Sequence, residues 1–99
     1  MAKFEVYRTK EGWLALDCQA DTLSSYLNTR LVVPLMPPDE APLAAARLNP
    51  LFTLNGDPVV MVAQFAASVP VAQFQERVGS LSAHEFEIGA ALDFLISGF

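Results

Sequence analysis

Residues 80–99 read SLSAHEFEIGAALDFLISGF, and their apolar side chains recur at the spacing of a helix. At 100° per residue Ile88, Leu92, Leu95 and Phe99 fall in one narrow stripe, which predicts a C-terminal helix of about four turns with that stripe packed on a sheet. Ser82 followed by Glu85 has the spacing of a capping box at its start. Gly98 suits a helix C-cap, because glycine takes the left-handed conformation without steric cost. The opposite side of this helix is not polar. Phe86, Ala90 and Phe94 lie there together with Ser97, and only Glu85, Glu87 and Asp93 supply charge. A helix apolar on two faces must bury both or expose a patch, so a second surface is implied. A homodimer interface formed by Phe86, Ala90 and Phe94 is the expected one.

Upstream the period changes to two. Phe4 and Val6 alternate with Lys3, Glu5 and Tyr7, Glu11-Gly12 supplies a turn, and WLALDCQAD returns as the second arm of a hairpin. Cys18 on that arm reads as a small buried hydrophobe. TLSSYLN is polar enough to cross the surface. RLVVPL is a short buried strand expected to stop at Pro34. Pro37, Pro38 and Pro42 punctuate a loop, after which PLAAARLN could form one or two helical turns. In LFTLNGDPVVMVAQF, Asn55-Gly56 joins two strand-like runs as a tight hairpin, expected at the centre of the sheet. ASVPVAQF adds an extended piece around Pro70. The chain is thus expected to be a single domain, residues 1–99: a small, mainly antiparallel β-structure plus one terminal helix.

Composition narrows the function. The 99 residues are 53% hydrophobic and carry a net charge of −5, from six Lys and Arg against eleven Asp and Glu. A nucleic-acid backbone would be repelled by that balance, and no basic patch interrupts it. One cysteine cannot make an intramolecular disulfide or a multi-cysteine metal site, which fits a reducing cytoplasm. MAKFEVYRTKEG lacks the apolar segment of a signal peptide, and no run is long enough for a membrane helix. A soluble, cytoplasmic protein is expected.

Catalytic signatures are lacking. His84 is the sole histidine, and nothing stands at a spacing that would place it in a triad or metal site; it is expected to be solvated in the first helical turn. Glu85 and Glu87 in that turn favour the helix dipole. NGDP is turn chemistry, and there is no Gly-rich phosphate loop. Binding without cofactor or metal, rather than enzymatic catalysis, is the expectation.

The opening KFEVY, the segment TRLVVPL, the AASVPV followed by VGSLSAHEFEI, and a terminal helix ending in glycine plus one large apolar residue together resemble the CcdB family of plasmid and chromosomal toxins. The resemblance spans essentially the whole chain. It implies an SH3-like antiparallel β-barrel core with a C-terminal helix, assembled as a homodimer with the two helices near the dimer axis. It also implies a toxin of a toxin–antitoxin module that binds the DNA gyrase A subunit, traps the cleaved-DNA complex, is neutralised by a cognate CcdA-like antitoxin, and represses its own operon with it. DNA would be touched only through those complexes. The family's C-terminal Trp-Gly-Ile, whose tryptophan stacks on a gyrase arginine, corresponds here to Ser97, Gly98 and Phe99. Ser97 offers no aromatic face, and such a stack is worth ~1–2 kcal/mol when desolvated. Glu85 aligns with a helix glutamate of the toxic surface and Asp93 replaces a polar residue there. The gyrase-binding residues implied are therefore Ser97, Gly98, Phe99, Glu85 and Asp93, with Phe99 as the aromatic anchor. A family member with a lost or altered target is the alternative, and an endoribonuclease of the MazF type a third reading that the acidic charge disfavours.

Overall fold

The computed structural model describes residues 1–99. Seven strands form one curled antiparallel sheet, a half-barrel closed at one end by a single C-terminal helix. The strands are β1 (Glu5–Thr9), β2 (Leu14–Asp17), β3 (Thr29–Met36), β4 (Leu51–Leu54), β5 (Asp57–Met61), β6 (Ala67–Pro70) and β7 (Phe74–Ser80), and α1 spans Glu85–Ser97. Their order is β4-β5-β3-β2-β1-β7, with β6 also paired to β3.

The two predicted hairpins form where turn chemistry allows. Gly12 sits at φ 97° between β1 and β2, and Asn55 and Gly56 at φ 52° and 87° reverse β4 into β5, the pair of left-handed residues that a tight hairpin turn requires. The second hairpin is not the sheet centre, contrary to expectation. It is the edge of the sheet, and β3 is the hub. This eight-residue strand pairs β2 along one side, and along the other pairs β6 with its first half and β5 with its end. The strand also runs through Pro34 rather than stopping there. Pro34 falls where β3 exchanges β6 for β5, and its carbonyl accepts from the Val62 amide on that side (3.0 Å). The missing N–H points into the same hand-over, where no ladder bond is required of it.

PLAAARLN is not helical. It makes a single turn pinned by buried Asn49, whose Oδ1 accepts from the Ala44 amide (2.8 Å) and whose Nδ2 donates to Met61 O (3.1 Å) and Gln64 Oε1 (2.7 Å). Strand β7 was not foreseen in the sequence. It pairs β1 with two register shifts, and Asn55 Nδ2 donates to Val78 O (2.9 Å), so the β4–β5 turn reaches across the open side of the half-barrel to β7.

One core fills the concave side: Val6, Leu16, Leu35, Phe52, Met61 and Ile88 are at its centre. Cys18 joins it, and burial, with the Asp17 carboxylate second, pushes its thiol pKa up to about 12. A thiol that does not ionise near neutrality is a poor nucleophile. Native protein should therefore leave Ellman's reagent unreacted at pH 8, with one thiol titrating once denaturant is added. Thr9 is also buried, and its Oγ1 has no hydrogen-bond partner. Thr9→Val, which keeps the shape and removes the unpaired hydroxyl, is expected to stabilise by about 1 kcal/mol in urea unfolding, whereas a loss of that size would mean that the hydroxyl is bonded in solution.

The convex side of β2 and β3 holds a polar centre that hydrophobic patterning does not announce. Asp17 is fully buried and Arg30 is 3% exposed. The guanidinium binds Asp17 Oδ2 through Nε (3.0 Å) and Nη2, reaches Ser24 Oγ through Nη1, and donates to Met1 O (3.3 Å). Asp17 Oδ1 accepts from the Gln19 amide (3.0 Å), and Asp21 Oδ1 from the Lys3 amide (2.8 Å). The otherwise exposed segment from Asp21 to Asn28 and the amino terminus are thereby tied to the sheet.

Candidate partner-binding surface

The helix begins later than the capping box predicts. Ser82–His84 forms a 3-10 turn, His84 stands at the N-cap, and no side chain caps the first amides. Ser82 is engaged instead with Ser80, whose Oγ accepts from the Ser82 amide (3.2 Å). His84 is half-buried rather than solvated: its ring tilts against Phe52 at 4.8 Å, and Nδ1 lies 3.6 Å from Glu87 Oε1. Glu85 and Glu87 occupy the first turn of α1 as expected.

The core stripe is realised only in its first half. Ile88 and Ala91 are fully buried and Leu92 packs on the core, but Leu95 is exposed and Phe99 is 83% exposed. The reason is geometric. The helix rests on the short turn Ala63–Phe65, and beyond Leu92 only Phe94 is still partly covered, so every residue from Leu95 on is exposed. Gly98 ends it at φ 78°, its amide donating to Phe94 O (2.9 Å), and Phe99 projects. Ile96, 79% exposed, joins Leu95 and Phe99 in an apolar tip.

The three residues expected to share a dimer face are divided. Phe94 is half-buried under Arg47, whose guanidinium lies 4.7 Å from the ring centroid. Phe86 is 87% exposed and forms one wall of an open groove between the helix and the amino-terminal segment. Glu85, Gly89, Ala90 and Asp93 line it from the helix, and Lys3 and Phe4 from the amino-terminal segment. Ser97 follows Asp93 one turn further along the same face. Thus the structure brings Glu85, Phe86, Ala90 and Asp93 together, and places Ser97, Gly98 and Phe99 beyond them at the tip.

Phe4 is the residue that sequence reasoning did not connect with this surface. It adopts φ 70°, a left-handed conformation that costs a side-chain-bearing residue about 1–2 kcal/mol. Two backbone bonds hold it there, its amide to Asp17 O (2.6 Å) and its carbonyl from the Leu81 amide (2.8 Å). Its ring enters the core, and Lys3 Nζ lies 4.8 Å from the ring centroid.

A mainly β, curled antiparallel half-barrel bearing one C-terminal helix is the architecture shared by MazF-like and CcdB-like proteins. The fold is similar to that of an endoribonuclease from a mycobacterial species, with TM-score 0.77 and 12% identity over 97% of this chain and 90% of the other. It is similar also to the Mycobacterium tuberculosis toxin MazF-mt6, with TM-score 0.75 and 12% identity over 93% and 95%. A third similar structure is an Mtb toxin, with TM-score 0.70 and 15% identity over 95% and 99%. At such identities the likeness is one of fold. The sequence itself decides the family: residues 3–98 match the model of the CcdB protein, and the chain belongs to the CcdB family. None of the curated proteins matches it significantly. No helix is long and apolar enough to cross a membrane.

Proposed function

We propose that this chain is the toxin of a type II toxin–antitoxin module that binds the DNA gyrase A subunit and holds gyrase in its cleaved-DNA complex. The observation that carries this reading is the match to the CcdB family over residues 3–98, joined to a helix tip that leaves Ile96 and Phe99 free for a partner. The tip also supports a cytoplasmic homodimer with the two helix ends side by side, since the exposed apolar side chains of Leu95, Ile96 and Phe99 are what a second copy would cover. A CcdA-like antitoxin is the neutralising partner, and DNA is reached through that complex or through gyrase.

Binding rather than catalysis is favoured by how the cations are used. Arg8 pairs with Glu76, Arg30 with Asp17 and Arg77 with Glu5, while Lys3 and Arg47 lie over aromatic rings. Of the six basic side chains only Lys10 has neither a carboxylate nor a ring beside it, and with a net charge of −5 this argues against an endoribonuclease of the MazF type. A second reading, a family member with an altered target, is favoured by Ser97, which has no ring to stack on an arginine.

Purified protein incubated with gyrase and supercoiled plasmid, then treated with denaturant and protease, should yield linear DNA. Intact plasmid at saturating protein would overturn gyrase poisoning and leave the altered-target reading; specific cleavage of RNA by the purified protein would revive the nuclease.

A further inference from the structure

We propose that Asn55-Gly56 is a modification site, a turn that deamidates when the β4–β5 hairpin lifts from β7 and that, once converted, can no longer latch the hairpin across the open side of the half-barrel. In an asparagine followed by glycine, the glycine backbone nitrogen attacks the side-chain carboxamide carbon. A C–N bond forms, the carboxamide nitrogen leaves as ammonia, and the cyclic succinimide takes up water to give aspartate or isoaspartate. Glycine obstructs the attack least, having no side chain. The rest of the fold does not crowd the turn either. Both residues are exposed, and a Cβ added at Gly56 would meet no atom within 4 Å.

What restrains the reaction is the latch itself. Asn55 Nδ2, the leaving nitrogen, donates to Val78 O (2.9 Å), and a Cβ added at Gly79 would stand 3.6 and 3.7 Å from the two polar atoms of the carboxamide. With the carboxamide held on β7, and the turn residues held at φ 52° and 87° by the paired arms of the hairpin, the side chain is not free to swing to the Gly56 nitrogen. No ladder joins β4 or β5 to β7, so the bond from Asn55 is the only hydrogen bond between them. One residue is therefore both latch and reactive group. Conversion to aspartate sets a carboxylate against the Val78 carbonyl in place of the donor, and isoaspartate also lengthens the main chain of a tight turn by a methylene. Neither product re-forms the bond. Leu54, a core residue 6% exposed, lies against Gly79 beneath the latch, and Phe52 on the same strand carries the His84 ring at the start of α1, so these are the contacts that loosen.

The test follows aspartate and isoaspartate at position 55 by peptide mass spectrometry while the full chain is held at pH 8 and 37 °C. The same chain unfolded in urea gives the unrestrained rate. The folded chain should convert roughly tenfold or more slowly, because reaction waits on local opening. Gly79→Val, whose side chain takes the place of Leu54 and the carboxamide, should move the folded rate several-fold toward the unfolded one in a protein that circular dichroism shows still folded. Asn55→Asp needs no chemistry: it keeps the tolerance for left-handed φ and removes the donor, and should lower the unfolding midpoint by a few degrees. Equal rates in the folded and unfolded chains overturn the protection. A slow folded rate that Gly79→Val leaves unmoved assigns the protection to the turn alone and overturns the latch, as does an Asn55→Asp midpoint equal to that of the parent.

Discussion

Arg30→Met should lower the unfolding midpoint by on the order of 20 °C and leave the protein close to its stability limit at 37 °C. Asp17 is wholly buried, and its Oδ2 receives both the Nε and Nη2 donors of Arg30. Without the guanidinium that oxygen is stranded in a low-dielectric interior with only the Gln19 amide nearby on Oδ1. Breaking one partner out of a buried pair costs about 3–5 kcal/mol. A domain of this size has roughly 5–15 kcal/mol in total. The loss extends beyond the pair, because Arg30 also anchors Ser24 and the Met1 carbonyl, and so fixes the segment from Asp21 to Asn28 that bears the exposed Leu23, Tyr26 and Leu27. Asp17→Leu combined with Arg30→Met should recover much of the stability, since two apolar side chains leave no uncompensated charge. Urea unfolding of the single and double variants measures this. An Arg30→Met protein within 1 kcal/mol of the parent would show that water reaches Asp17 and that the pair is not buried in solution.

That pair also shows where sequence reading stops. Asp17 and Arg30 stand thirteen residues apart on neighbouring strands, each at a position where alternation suggests a solvated face, and only the β2–β3 register brings them together. What local chemistry controls was legible. The turns at Gly12, Asn55-Gly56 and Gly98 all adopt the positive φ that their sequences call for. The helix was legible from its period and Cys18 from its apolar neighbours. Strand β7 was not, because Gln75, Glu76 and Arg77 face solvent and its only partner, β1, lies at the other end of the chain. The hub role of β3 was hidden by Pro34, which reads as a terminator until the exchange of β6 for β5 is seen to place its missing donor in a gap. For the surface, the helical face carrying Glu85, Phe86 and Asp93 follows from 3.6-residue periodicity. Its opposite wall, Lys3 and Phe4, does not, since the left-handed turn at Phe4 is imposed by backbone bonds to Asp17 and Leu81. Nor does the cover of Phe94 by Arg47 from a loop that looked helical.

Deleting Ser97, Gly98 and Phe99 is expected to abolish growth arrest while leaving the fold intact. The two consequences separate because the helix is two structures end to end. Its first half is held by Ile88 and Ala91, both fully buried, and by Leu92 on the core. Its last residues touch no sheet: Ser97, Gly98 and Phe99 are all exposed, and a Cβ at Gly98 would meet nothing within 4 Å. Removing side chains that are already in water forfeits little burial, so the unfolding midpoint should move by no more than about 2–4 °C, the equivalent of fraying one turn. An apolar cluster of Leu95, Ile96 and Phe99 left in water has a physical rationale when a second surface covers it. With gyrase as that surface, the truncated chain should give no linear DNA in the cleavage assay at concentrations where the full chain does. Phe99→Ala alone separates the anchor from the backbone: a loss nearly as deep as the truncation makes the ring the contact, whereas near-full activity assigns it to Ser97 and Gly98. Growth arrest undiminished by the truncation would place the toxic surface elsewhere on the molecule and refute the role of the tip.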